Sequence, residues 1–238
     1  MNQFHIVMNG KGGIGKSIVA YNLAQYLKAN DPETICIDTD PLTPTLSKYR
    51  ALEARHLQIA SDSEIILNRF DEMIEEIVST SHDAVIDTGA STFIPIANYL
   101  AKNKVFQFLK DEYGKDIFLH VVLNAQTQND YLSTLASLEM LTTTFAANVK
   151  IVIWLNEFGG SLANFTKSQF YLDNESLVFG MIRIKNPDEL LLHDFKAILQ
   201  NYQTYHEALG DSKLFVMSHS RIKRMRDEIY GQIGSVVV

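Results

Sequence analysis

Cysteine is all but missing from this chain of 238 residues: Cys36 is the single thiol, inside the apolar run Ile35–Ile37. That excludes a disulfide scaffold and a cysteine-ligated cluster within one chain, and it suits a reducing compartment. No apolar run comes near the roughly 18 residues that a membrane-spanning helix needs. Met1-Asn2-Gln3-Phe4-His5 is no secretory leader. Positive charge is short too. With 21 lysines and arginines against 28 aspartates and glutamates, the net charge is −7, which argues against a whole surface built for nucleic acid and leaves room for a local basic patch. Repeats, low-complexity tracts and linkers are absent. What remains is ordinary globular composition, 46% hydrophobic and 21% charged, in a length common for one α/β domain that can bury a large core.

One stretch organises the rest. Gly10-Lys11-Gly12-Gly13-Ile14-Gly15-Lys16-Ser17 follows the apolar run Phe4–Met8 and precedes a segment of helical period, Ser17–Lys28. Strand, Gly-rich loop and helix in that order are what a P-loop requires. The glycines let consecutive backbone N–H groups curl around an anion, and the helix N-terminus adds partial positive charge. Lys16 would reach the β- and γ-phosphates, and the Ser17 hydroxyl would sit on Mg²⁺.

Two further strands end in acid. Thr34–Ile37 runs into Asp38-Thr39-Asp40-Pro41, which puts two carboxylates where α/β sheets gather ligands, at the strand's carboxyl end. Ala84-Val85-Ile86-Asp87, about 75 residues beyond the P-loop, reads as the strand whose terminal carboxylate holds the Mg²⁺ shell. Thr88-Gly89-Ala90-Ser91 follows, and Gly89 would let the chain turn close to the γ-phosphate.

Elsewhere the pattern alternates strand and helix. Helices are expected at Thr45–Ala54, from a capping box at Ser61-Asp62-Ser63-Glu64 through Val78, and at Phe93–Ala101, Tyr131–Phe145, Glu189–Gln200 and 218–233. Strands are expected at Ile117–Leu123, Val149–Leu155 and Leu177–Ile184. Val105–Leu109 fits strand or helix, and Leu57–Ala60 fits a short strand or a connection. About six strands alternating with helices predict an α/β fold: a three-layer P-loop NTPase fold with a mainly parallel β-sheet flanked by helices. The 218–233 helix is amphipathic. Ile222, Met225, Ile229 and Ile233 form its stripe, and Arg221, Lys223, Arg224 and Arg226 form the one basic cluster. His193 and His206 lack partners at metal-ligand spacing, and His82, just before a strand, reads as a loop residue.

The second lysine of the loop, Lys11, makes it resemble the deviant Walker A loop of the ParA/MinD class of ATPases. In that class a signature lysine crosses a dimer interface to the partner's nucleotide, so the resemblance implies a homodimer on ATP binding with Lys11 acting in trans. By the same match, Asp38 lies near Mg²⁺ and Asp40 orients the attacking water, although Leu42 stands where the family usually has glutamine. The resemblance also assigns Asn156, at the end of Val149–Leu155, to the adenine edge; Asn-Glu-Phe-Gly offers guanine no aspartate. It places the loop Lys185-Asn186-Pro187-Asp188, and so Pro187, against the base. The nucleotide set it implies is Gly10 to Ser17 with Asn156 and Pro187, with ATP and Mg²⁺ as ligands.

The segments I-D-T-D-P, V-I-D-T-G-A-S-T-F-I-P, V-I-W-L-N and R-I-K-R-M-R-D-E-I-Y narrow the likeness to the TraL-type conjugal transfer proteins of plasmids. That resemblance implies a cytoplasmic ATPase, peripheral to the inner membrane at most. It would serve conjugative transfer or plasmid maintenance through a protein partner of that machinery, with weak DNA or anionic-membrane contact through the basic cluster. Residues 1–238 are expected to form one domain, without the N-terminal DNA-binding helices of larger partition ATPases. Two other readings of the same residues stand beside it: a small-molecule kinase or synthetase on the same scaffold, and a module that holds ATP without hydrolysing it.

Overall fold

The unbroken apolar run Phe4–Met8 forms β1 (Gln3–Met8), buried along almost its whole length and central in the sheet. The computed structural model of the chain describes residues 2–61 and 64–237. From β1 the chain passes into α1 (Lys16–Asn30) and returns through β2 (Ile35–Asp38). Three two-residue strands follow: β3 (Arg55–His56), β4 (Ala60–Ser61) and β5 (Glu64–Ile65). Then come α2 (Leu67–Ser79), β6 (Ala84–Asp87), α3 (Phe93–Lys102), α4 (Val105–Tyr113) and β7 (Asp116–Asn124). The last third holds α5 (Gln128–Phe145), β8 (Lys150–Asn156), α6 (Gln169–Asn174) and β9 (Val178–Ile184). It closes with α7 (Glu189–Gln200), α8 (Tyr205–Gly210) and α9 (Val216–Val237).

Seven strands pair in the order β3-β2-β6-β1-β7-β8-β9, every pair parallel, while β4 and β5 make a separate small hairpin. Strand residues alternate between two cores. Phe4, Ile6 and Met8 face one with α2, α3, α4 and α5, and Val7 faces the other with α1, α7, α8 and α9. Both faces being covered explains why the strands read as continuous apolar runs. The sheet is parallel throughout, and its seventh strand is the polar pair Arg55–His56.

A polar line crosses the second core. Trp154 Nε1 donates to His120 Nδ1 at 2.9 Å, so His120 carries its proton on Nε2 and donates to His5 Nδ1, also at 2.9 Å. His5 Nε2 then donates to Gln3 Oε1 at 3.0 Å, and Gln3 Nε2 to the Val237 carbonyl of α9 at 2.6 Å. The three ring side chains are fully buried. Every group in the line has its partner, and only neutral imidazoles fit it. Burial lowers the pKa of His5 to about 3 and that of His120 well below the usual imidazole value.

Two expectations are corrected, and one ambiguity is settled. Thr45–Ala54 is not an α-helix but two 3₁₀ turns, Leu46–Lys48 and Arg50–Leu52. Its buried residues Leu46, Tyr49 and Leu52 recur every third position, the period of a 3₁₀ helix. The helix expected from Ser61 begins at Leu67, because Ser61 and Glu64 pair as strand; Asp62 and Ser63 of the capping box lie outside the described residues. The ambiguous Val105–Leu109 is helical, entered through Lys104 at a left-handed φ of 50°.

Candidate functional site

β1 is flanked by β6 and β7, so the loop that leaves it opens into a crevice at the carboxyl ends of the strands. Gly13 and Gly15 take left-handed φ angles of 74° and 99°, which side chains with a Cβ resist. Gly15 caps α1 with no side-chain hydrogen bond, and no acid occupies the first turn. The first N–H groups of α1 therefore lack a side-chain partner at the loop, the arrangement that receives an anion. Gly12, Gly13, Gly15, Lys16 and Ser17 line a cavity of about 380 Å³, closed opposite by Asp40, Thr43, Thr45, Ala90 and Ser91.

The charged floor is unbalanced. Lys16 is 7% exposed, and its Nζ donates to the Lys11 carbonyl at 2.9 Å. Burial lowers its pKa, with Asp87 and Asp40 pulling the other way. Register sets Asp87, at the end of β6, beside Asp38 of β2 and Val7 of β1. Asp87 is fully buried, and neither carboxylate oxygen has a hydrogen-bond partner among the described residues. Burial pushes its pKa up to about 7; Ser17 and Lys16 oppose the rise, and the carboxylates of Asp38 and Asp40 add to it. A buried carboxylate left this way is costly unless a cation reaches it. Asp87 with the Ser17 hydroxyl beside it suits a hard cation that also takes phosphate oxygens and waters. No group of three or more His, Cys, Asp or Glu among the described residues is placed to hold a metal by itself.

The other predicted acids are already engaged. Asp38 accepts from the N–H groups of Asp40 at 3.1 Å and Ser47 at 3.0 Å. Asp40 accepts from Leu42 N, Thr43 N and Thr43 Oγ1 at 2.9, 3.0 and 3.2 Å, so its own loop holds the carboxylate. Gly89 is pressed against it: a Cβ there would lie 2.9 Å from Asp40 Cγ. The two loops that end β2 and β6 thus touch at a point only glycine fits.

Lys11 stays within its own chain in this structure. Its Nζ lies 3.0 Å from Asp130 in the first turn of α5. The Thr127 hydroxyl, and Lys11 after it, hold the Asp130 carboxyl below the usual range. Asp130 went unread in the sequence, though Thr127-Gln128-Asn129-Asp130 has N-cap spacing. Asn156 and Pro187 do not line the cavity. Asn156 is 3% exposed and hydrogen-bonded to the P-loop, while Pro187 lines a separate depression with Arg183, Asp188 and Arg224.

The basic cluster divides as well. Arg221 is tied to Asp194 at 2.7 Å and to Ser218, and Arg226 to Asp227, whereas Lys223 and Arg224 are exposed. Two exposed cations on α9 replace the expected patch of four, because α9 packs Arg221 into α7.

Comparison with known proteins agrees with this geometry. Residues 5–205 match the model of the CobQ/CobB/MinD/ParA nucleotide-binding domain. Two Escherichia coli proteins named TraL are 34% and 35% identical to the chain, each over 243 aligned positions covering all of both sequences. Among solved structures, the MinD cell division protein of Aquifex aeolicus superposes with a TM-score of 0.52 at 14% identity, covering 96% of this chain and 97% of MinD. A nucleotide-binding protein of Archaeoglobus fulgidus, solved with ADP, gives 0.51 at 15%, covering 92% and 94%. At those identities the likeness concerns the fold. No helix among the described residues is long and apolar enough to cross a membrane.

Proposed function

The chain belongs to the CobQ/CobB/MinD/ParA nucleotide-binding family, and on that premise we propose that it is a cytoplasmic, Mg²⁺-dependent ATPase acting as a dimer switch in plasmid conjugative transfer or maintenance. The observation that carries the reading is Asp87, a buried carboxylate with no hydrogen-bond partner among the described residues, beside Lys16 and at the foot of a glycine-rich anion cradle. The loop N–H groups and Lys16 would face the β- and γ-phosphates, and Lys16 would give up the Lys11 carbonyl to do so. Mg²⁺ would be held by Ser17 and Asp87, with Asp38 close by, and supplies charge neutralisation on the phosphate oxygens. Asp40 is the residue on the cavity wall suited to orient a water, once its hydrogen bonds within the loop are released.

The switch reading uses Lys11. Its bond to Asp130 describes a resting state, and dimer formation on ATP would transfer Lys11 to the partner's nucleotide. The plasmid setting rests on the full-length TraL relatives and their name. A nucleotide-holding module without hydrolysis is the second reading, and the observation in its favour is that Asp40 is clamped by its own loop. Phosphate release with and without plasmid DNA separates the two. Slow turnover that Asp40→Ala lowers roughly 10²-fold with ATP still bound supports the switch. No release under either condition leaves the module.

A further inference from the structure

Three acids meet the crevice, and they are held in two ways. Loop N–H groups grip the carboxylates of Asp38 and Asp40 directly. The Asp87 carboxylate has no hydrogen-bond partner among the described residues. Its place is therefore set by its main chain and by the walls packed around it.

That main chain is clamped on both flanks. β2 ends at Asp38 and β6 at Asp87, and the two residues pair across the sheet. One position on, Thr39 turns both of its donors onto the Asp87 carbonyl, the N–H and the Oγ1 hydroxyl each at 2.9 Å. On the other flank the Thr88 hydroxyl donates at 2.7 Å to the carbonyl of Val7, the β1 residue paired with Asp87. Both threonines are buried, so water does not compete for these bonds. A β-branched side chain is also stiff at χ1, which keeps each hydroxyl aimed.

We infer that Thr39 and Thr88 are positioning residues: their hydroxyls stitch the ends of β2, β6 and β1 together and fix the Asp87 carboxylate where a cation arriving with nucleotide can use it. This rests on the reading of Asp87 as a cation ligand. Such a ligand must be held to within about 0.5 Å of its working place. Groups that orient a metal ligand from behind typically change metal affinity roughly 10–100-fold. For Asp38 and Asp40 that support reaches the carboxylate itself. For Asp87 it comes through the peptide on either side, and the two hydroxyls supply it.

The test is titration calorimetry of ATP with Mg²⁺ and with a chelator, read as the factor by which Mg²⁺ tightens binding. Four proteins are compared: wild type, Thr39→Val with Thr88→Val, Thr39→Ser with Thr88→Ser, and Thr204→Ala, which removes the capping box of α8 outside the cavity. The valine pair keeps the side-chain shape and loses both hydroxyls. It should cut the Mg²⁺ factor about fivefold and leave affinity in chelator within about twofold of wild type. The serine pair should bring the factor back to within about twofold of wild type. Thr204→Ala should leave the factor unchanged, although it too costs stability. Circular dichroism and urea midpoints verify folding. Thr39→Val alone should show the same fall if the valine pair does not fold, since the Thr39 N–H still holds the Asp87 carbonyl. A valine variant with the wild-type factor, or a serine pair as weak as the valine pair, would overturn the inference and leave the cation reading standing. An equal loss in Thr204→Ala would do the same, reducing both threonines to general support of the fold. A wild type that Mg²⁺ did not tighten would remove the cation reading itself, and the inference with it.

Discussion

The sheet carries two buried polar clusters, and they are built in opposite ways. The line Trp154–His120–His5–Gln3–Val237 crosses three strands with each donor matched to an acceptor, and its imidazoles are held neutral. The cluster around Asp87 lies on the neighbouring strands, at the carboxyl ends of β6 and β2, and is left open: a buried carboxylate without a hydrogen-bond partner among the described residues, and a buried ammonium resting on a loop carbonyl. A closed network specifies a fold and has no use for a ligand. An open one destabilises the protein until something completes it, and that marks the functional end of this molecule.

The largest expected effect comes from removing the open cluster's one buried cation. Lys16→Ala should abolish ATP binding in calorimetry while leaving the far-UV spectrum unchanged. Affinity within a few-fold of wild type would erase the distinction between the clusters.

Acid sharpens the contrast, because the two clusters respond to it with opposite signs. The folded-state pKa of Asp87 lies above its unfolded value, so the folded protein binds the extra proton, and this group's contribution falls as pH rises from about 4 towards 7. His5 and His120 have folded pKa values below the usual 6.5, so the unfolded chain binds the extra protons and their contribution is lost as pH drops below about 6.5. Each group contributes a slope of up to about 1.4 kcal/mol per pH unit. Asp87→Asn should therefore make ligand-free stability rise more steeply between pH 4.5 and 6.5 than in wild type, by about that amount per unit. Urea midpoints across the range measure it, and parallel curves would contradict it.

Lys11 borders the open cluster, and its replacement should touch assembly alone. Lys11→Ala should bind nucleotide within a few-fold of wild type yet fail to dimerise with a slowly hydrolysed ATP analogue in light scattering. A variant that dimerises would leave the Asp130 pair a purely local contact. Smallest is α9. Changing Lys223 and Arg224 to glutamine should remove any retention on DNA or acidic vesicles at low salt, with ATPase activity preserved; each cation contributes only about 1 kcal/mol at a lipid surface.

The open cluster was far more legible in the sequence than the closed one. Gly10–Ser17, Asp38 and Asp87 announce themselves because a Gly-rich loop and acids at strand ends are local patterns. The Glu189–Gln200 helix was legible for the same reason, an apolar stripe at constant period. His5 and His120 lie 115 positions apart, and only the register of β1 against β7 brings them together. Asn156 reads from the sequence as a contact to the base, and its hydrogen bond to the Ile14 carbonyl at 2.7 Å shows only once the P-loop folds against β8. Thr45–Ala54 misled because three buried residues spaced by three satisfy a helical stripe and a pair of 3₁₀ turns equally well.

On the proposed reading, Asp87 has no hydrogen-bond partner among the described residues because its place is kept for a cation that arrives with nucleotide. The most direct measurement is ATP affinity by calorimetry with Mg²⁺ and with a chelator, in wild type and in Asp87→Asn. Mg²⁺ should tighten wild-type binding by about tenfold or more and change the Asp87→Asn variant little, a difference above about 1.4 kcal/mol. An equal gain from Mg²⁺ in both proteins would show that the cation does not use Asp87, and would contradict the claim.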